Sequence, residues 1–138
     1  MAFHTRLKVR FGDVDRAGIA YYPRIFDLFH VAFEEFWEGF VGLPYAKVVT
    51  EEHVGFPTVR AQAHFRRPLR FGDDLDAAVF LSRVGETSAV FEYRIGTPDG
   101  EGPAVAASLL TVCVDLRTFS KRSIPPRYRE RLEACREE

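Results

Sequence analysis

Between Ile25 and Phe40 apolar residues stand at positions 25, 26, 28, 29, 31, 32, 33, 36, 37 and 40, with Asp27, Glu34, Glu35 and Glu38 as a narrow polar edge. A surface helix needs a single apolar stripe. This segment is apolar nearly all round, so it has to be wrapped by the rest of the chain or shared with a second chain. Pro23 suits a first helical turn, because its locked φ is preset for helix and its missing N–H has no use there. The spacing therefore predicts a long buried helix beginning at Pro23 and ended by Gly39 and Gly42 with Pro44.

What surrounds this helix reads as strands. Leu7, Val9 and Phe11 alternate with Arg6, Lys8 and Arg10, which predicts a half-buried strand over Arg6–Phe11. Val59, Ala61, Ala63 and Phe65 alternate with Thr58, Arg60, Gln62, His64 and Arg66. Leu75, Ala77, Val79 and Leu81 follow the Gly72-Asp73-Asp74 turn, and Phe91, Tyr93 and Ile95 follow a break at Gly85. Thr97-Pro98-Asp99-Gly100 is a turn, and Ala104–Leu116 is apolar enough for a central strand. Tyr45–Phe56 is a mixed segment, and Pro125-Pro126 introduces a charged terminal helix packed on the outside. Strand, helix, then four strands on short turns is an α+β order. It predicts a curved antiparallel five-stranded sheet around one helix, a single domain over residues 1–138, and a dimer that covers the apolar excess of the helix.

The 138 residues suffice for a real core, since a chain this long buries roughly two-thirds of its unfolded surface. Nineteen Lys plus Arg against twenty Asp plus Glu give a net charge of −1. That balance argues against nucleic acid and against a polybasic hold on membrane. No window reaches the ~18 apolar residues of a spanning helix, and the N-terminal run alternates, so a cytoplasmic location is expected. Cys113 and Cys135 have no Cys or His at ligand spacing, which leaves free thiols and no metal site.

The sequence lacks a GxSxG elbow, a glycine-rich phosphate loop and an HExxH pair, and carboxylate chemistry near a helix start remains. Asp13 and Asp15 lie in the loop Gly12–Gly18, shortly before Tyr22-Pro23. The unpaired N–H groups and positive dipole end of a helix start favour an oxyanion. A thioester carbonyl placed there would be polarised, with a nearby carboxylate acting as nucleophile or as base for water. The plainer reading is that both Asp side chains make turn bonds and Gly18 permits the bend.

The run FGDVDRAGIAYYPRIFDLFHVAFE, Phe11 to Glu34, resembles the signature of the hotdog-fold thioesterases of the 4-hydroxybenzoyl-CoA thioesterase family. Later segments are similar as well: Val54-Gly55-Phe56-Pro57, Arg70-Phe71-Gly72-Asp73-Asp74, Gly85-Glu86-Thr87-Ser88 and Val112-Cys113-Val114-Asp115. The last two also resemble the bacterial short-chain acyl-CoA thioesterases. The resemblance implies a hotdog fold, acyl-CoA hydrolysis without a separate cofactor (coenzyme A being part of the substrate), and active sites at the interface of a homodimer or a dimer-of-dimers tetramer. It also implies that Asp15 is the catalytic carboxylate, that Asp13 is structural, and that the Tyr22 backbone amide polarises the carbonyl.

Fifteen residues past Asp15 the hydroxybenzoyl enzyme has an Asp that recognises the substrate phenol and the short-chain enzymes have a Glu; this chain has His30. His30 reads as a core or interface residue, as a substrate contact from a neighbouring subunit, or as a second base; Phe26 is the accompanying pocket residue. Short-chain members carry a His where Tyr22 stands. Gly85-Glu86-Thr87 replaces the basic cluster that can hold CoA phosphates, so Arg66 and Arg67, with Arg70 nearby, are the candidates for that contact. Their plainer role is to guard a strand edge with charge. The expected activity is hydrolysis of an aromatic or short- to medium-chain acyl-CoA. A non-catalytic acyl or small-ligand binding module on the same fold is the alternative. A hotdog dehydratase ranks last, for want of a His-bearing motif before the central helix.

Overall fold

The computed structural model describes residues 1–100 and 102–137. In chain order its elements are β1 (Phe3–Lys8), α1 (Tyr22–Phe36), α2 (Tyr45–Thr50), β2 (Val54–Gly55), β3 (Thr58–Phe65), β4 (Asp74–Val84), β5 (Ser88–Gly96), β6 (Val105–Val112), β7 (Val114–Asp115), β8 (Ser120–Lys121) and α3 (Pro126–Ala134). Five strands form one antiparallel sheet in the order β1-β4-β5-β6-β3, and β2-β7-β8 form a small second sheet. The expected α+β architecture, one long helix against a five-stranded antiparallel sheet, is the observed one.

Strand alternation puts Leu75, Ala77, Val79 and Leu81 of β4 and Phe91, Tyr93 and Ile95 of β5 on the face that meets α1, all of them buried. Ile25, Leu28, Phe29, Ala32, Phe33 and Phe36 answer from the helix. The seam is aromatic: Phe33 stands edge-on to Phe91 at 5.0 Å, and Phe29 lies against Tyr93 at 5.3 Å. Each such ring stabilises the fold by about 1.5–3 kcal/mol through burial, and each ring pair adds about 0.5–1.5 kcal/mol. Trp37, also fully buried, continues the seam to Tyr45 at 5.6 Å, Phe56 at 5.3 Å and Tyr128 at 5.1 Å. Among the described residues its Nε1 is sealed away with no acceptor.

Several boundaries differ from the sequence reading. The first strand is Phe3–Lys8, because its register with β4 ends at Lys8↔Asp74, where the chain turns through Gly72 and Asp73. Phe11 leaves the sheet for a tight turn over Phe11–Asp13 and is 78% exposed, so it does not share the inner face with Leu7. The helix starts at Tyr22, with Pro23 second. Gly39 does not end it: the coil widens over Trp37–Val41 and stops at Gly42, whose φ of +88° is cheap only for glycine. Gly39 is needed instead for closeness, since a Cβ there would lie 3.0 Å from the Phe3 ring.

The run 104–116 is not one strand. It breaks at Cys113, whose N–H donates to Thr87 O at 2.7 Å, and β7 then pairs with β2 and β8. The mixed segment 45–56 resolves into α2 and β2. The terminal helix keeps its charges outward yet buries Tyr128 and Leu132, and Arg131 donates Nε and Nη2 to Phe40 O at 3.1 and 2.7 Å. It thereby caps carbonyls that the end of the central helix leaves open.

The apolar excess of α1 is mostly covered within the chain, leaving Tyr22 at 61% and Val31 at 43% exposure. Exposed apolar side chains also stand on the edge strand β3, where Val59 is 59% and Phe65 is 47% exposed. Cys113 and Cys135 are buried free thiols, as expected. No helix among the described residues is long and apolar enough to cross a membrane.

Candidate active site

The head of α1 is assembled by main-chain bonds from the loop ahead of it. Asp13 Oδ2 accepts the Arg10 N–H at 2.9 Å and Asp13 O accepts the Tyr21 N–H at 2.8 Å, so this residue ties the end of β1 to the start of the helix. Asp15 Oδ1 accepts the N–H groups of Ala17 at 2.8 Å and Ile19 at 3.4 Å, and Gly18, at φ +77°, lets the turn close. Asp15 itself is exposed. Its carboxylate thus makes turn bonds through one oxygen and leaves Oδ2 toward solvent.

Residues 21–24 carry three N–H groups, and two are accounted for. Tyr21 N–H goes to Asp13 O, Pro23 has none, and Arg24 N–H goes to Tyr21 O at 2.7 Å. Tyr22, the first helical residue, cannot reach an acceptor inside its own helix. Its N–H is therefore the open donor at the positive end of the helix dipole.

Two depressions flank this helix. A groove of about 210 Å³ at its head is lined by Ile19, Tyr22, Ile25, Phe65, Arg66 and Arg67 among others, which brings Tyr22 and the two arginines together. Arg67 Nη2 donates to Gly102 O at 2.7 Å. A second, apolar cavity of about 240 Å³ runs along the flank, between α1 and the sheet, and holds Phe26 and His30. The wall between the two is an aromatic pair, Phe26 on the cavity side and Phe65 on the groove side, with ring centroids 6.4 Å apart. Asp15 lines neither depression.

His30 stands at the cavity mouth with its side chain 60% exposed. Its Nε2 lies 2.8 Å from Glu34 Oε2, and its ring stacks on Phe33 at 5.6 Å. Phe33, Tyr45, Phe56, Ala61, Tyr93 and Leu109 supply most of the remaining wall. Tyr45 and Tyr93 were not singled out from the sequence. Both phenols are pushed above their usual pKa, chiefly by burial, and both stay neutral across the physiological range. The signal for Tyr93 was available: a tyrosine on the inner face of a strand carries a polar tip into the core. Tyr45 gave none, because α2 was unreadable in the mixed segment.

A sequence model of the thioesterase-like superfamily matches residues 9–132, and the chain belongs to that family. It is 30% identical, over 99% of its length and 90% of the relative's, to a 1,4-dihydroxy-2-naphthoyl-CoA hydrolase of Nostoc punctiforme. A Prochlorococcus marinus protein of the same name is 32% identical, over 94% of this chain and 88% of its own. The crystal structure of a 1,4-dihydroxy-2-naphthoyl-CoA thioesterase from Synechocystis superposes with a TM-score of 0.84 at 21% identity, covering 96% of both chains. The fold is the hotdog fold, and the protein is a thioester hydrolase.

Proposed function

We propose that this hydrolase cleaves an aromatic acyl-CoA, with the acyl ring in the flank cavity, the thioester carbonyl at the Tyr22 N–H, and Asp15 as the reacting carboxylate. The observation that carries this reading is the junction at Phe26 and Phe65. It sets an open amide and two arginines on one side of a thin aromatic wall and a ring-lined cavity on the other. At about 240 Å³ the cavity falls below the ~300–1,000 Å³ of pockets for drug-sized ligands, which suits a one- or two-ring acyl group. The named relatives act on an aromatic acyl-CoA of that class. Arg66 and Arg67 border the groove by which the CoA moiety would leave, at the place where its phosphates need cations.

The chemistry balances in two ways. As nucleophile, the Asp15 carboxylate adds to the acyl carbon, the oxyanion is held by the Tyr22 N–H, and CoA thiolate departs to leave an anhydride that water then opens. As base, Asp15 takes a proton from a water that attacks the same carbon, and CoA thiolate departs from the tetrahedral intermediate. A single turnover in ¹⁸O-labelled water tests for the anhydride, since water that opens it at the Asp carbon leaves label in the protein.

A carboxylate facing solvent is a weak catalyst, because water screens every charge it works on. The reading therefore includes a second copy of the chain that covers Asp15 and brings its loop to the cavity. The edge β3, with Val59 and Phe65 exposed, is the seam on which that copy pairs, as a homodimer or as half of a dimer of dimers. The decisive measurement is CoA release from a panel of benzoyl, hydroxybenzoyl, dihydroxynaphthoyl, phenylacetyl and linear acyl thioesters. Asp15→Asn is expected to lower kcat/KM on the best substrate by about 10²–10⁴-fold with folding intact. Near-wild-type turnover by that variant removes Asp15 from the mechanism, and a preference for linear acyl chains removes the aromatic assignment.

A further inference from the structure

The flank cavity contains a polar group that the chain itself does not use. Tyr93 points inward from β5 with its ring against Phe29 and is 2% exposed. Its hydroxyl has no hydrogen-bond partner among the described residues. Buried phenols ordinarily find one. Among the described residues the side-chain polar atom that is both unpartnered and sealed off is Trp37 Nε1, so the Tyr93 oxygen is unpartnered without being sealed, and Tyr93 lines the flank cavity.

The surroundings narrow what that oxygen can meet. Tyr45 stands close enough for the two phenols to influence each other electrostatically, and its oxygen accepts the Phe56 N–H at 3.1 Å, which leaves its own O–H to donate. The Thr111 hydroxyl, also on the wall, is committed to Ala89 O at 2.8 Å. His30 and Thr58 are the other polar residues of the lining and both are exposed, while Phe26, Phe33, Phe56, Ala61 and Leu109 offer carbon only. An acyl ring without polar substituents would fill this cavity and strip water from two phenols while giving them nothing in return.

We propose that Tyr93 is a specificity-determining residue: its hydroxyl, with the Tyr45 O–H beside it, hydrogen-bonds a hydroxyl carried on the acyl ring and so selects hydroxylated aromatic thioesters over unsubstituted ones. The inference rests on the flank cavity being the acyl pocket. A site built to bond a substrate hydroxyl disfavours the analogue lacking it, because the site's own polar groups are then left unpaired.

The test compares wild type with Tyr93→Phe, which removes one oxygen and keeps the ring on Phe29. Benzoyl-CoA and its three monohydroxy isomers are the substrates. The ratio of kcat/KM for the preferred isomer to that for benzoyl-CoA is expected to fall about ten- to hundredfold in the variant. An unchanged ratio between the two substrates, or an equal loss on both with an intact melting curve, overturns the proposal. The matching phenacyl and hydroxyphenacyl thioethers of CoA, which cannot be hydrolysed, are titrated by calorimetry in parallel. If wild type releases no CoA from any thioester, the hydrolytic assignment to this site fails while the Tyr93 inference is still decided. A preference for the hydroxylated thioethers that disappears in the variant upholds it, and equal affinities in wild type refute it.

Discussion

The two sides of the Phe26–Phe65 wall are built from different materials. At the head of α1 the useful groups belong to the main chain and to exposed ends: an amide at Tyr22, a carboxylate oxygen at Asp15, and guanidinium groups at Arg66 and Arg67. Along the flank they are rings and two phenols contributed by α1, α2, β5 and the link between β2 and β3. The head is set by a short loop that folds on itself and is tied by main-chain bonds to Leu69 and Phe71, so it can be rigid while remaining open to solvent. The flank exists only because the sheet has closed on the helix. In the proposed reading chemistry and recognition are separated by one pair of rings, and each should respond to mutation without the other.

The largest effect expected is kinetic and confined to the head. Asp15→Asn should cost about 10²–10⁴-fold in kcat/KM with little change in melting temperature. Asp13→Asn should do the reverse, lowering the melting temperature by weakening the side-chain bond that the Arg10 N–H donates to Oδ2, and equal kinetic losses in both variants would erase the distinction. In the flank, Phe33→Ala should destabilise the fold by about 3–5 kcal/mol in urea titrations, since Phe33 is buried against Phe91 and Tyr45. Tyr22→Pro removes the open N–H at a position where helices accept proline. It should cost about 10²–10³-fold in turnover, whereas Tyr22→Phe, which keeps the amide, should be close to wild type. A similar loss in both would mean that the ring of Tyr22 matters rather than its amide.

The smallest effect concerns neither half. Burial raises the Cys113 thiol from 9.0 to about 11, against the opposing pull of Arg122. The folded protein therefore holds a proton that the unfolded chain releases first. This contribution to stability is complete below pH 9 and is lost as the pH rises through 11, which should appear as a falling melting temperature over that interval. Cys113→Ala should flatten the decline, and an identical alkaline limb in the variant would assign it to other groups.

The same contrast explains what the sequence made legible. The head of α1 was readable because its parts are local: Asp13, Asp15, Gly18 and Pro23 act on neighbours a few residues away, and their turn and helix preferences do not depend on the rest of the chain. The central helix was readable from its apolar excess, which has to be wrapped by the chain or shared with a second one. The sheet and α3 cover most of it and leave Tyr22 and Val31 exposed. Strand ends were misjudged where the partner rather than the strand decides. Phe11 continues the alternation of β1, but β4 has already turned away. The flank was mostly invisible, because Tyr45 and Tyr93 meet only after α2 and β5 are packed, and no spacing in the sequence encodes that meeting.

The position of Trp37 carries a practical consequence. It is the only tryptophan in the chain, and it touches Tyr45 and Phe56, both of which border the flank cavity. Its emission is therefore a built-in optical gauge of whether that chamber is filled, usable on the unlabelled protein and on variants that turn nothing over.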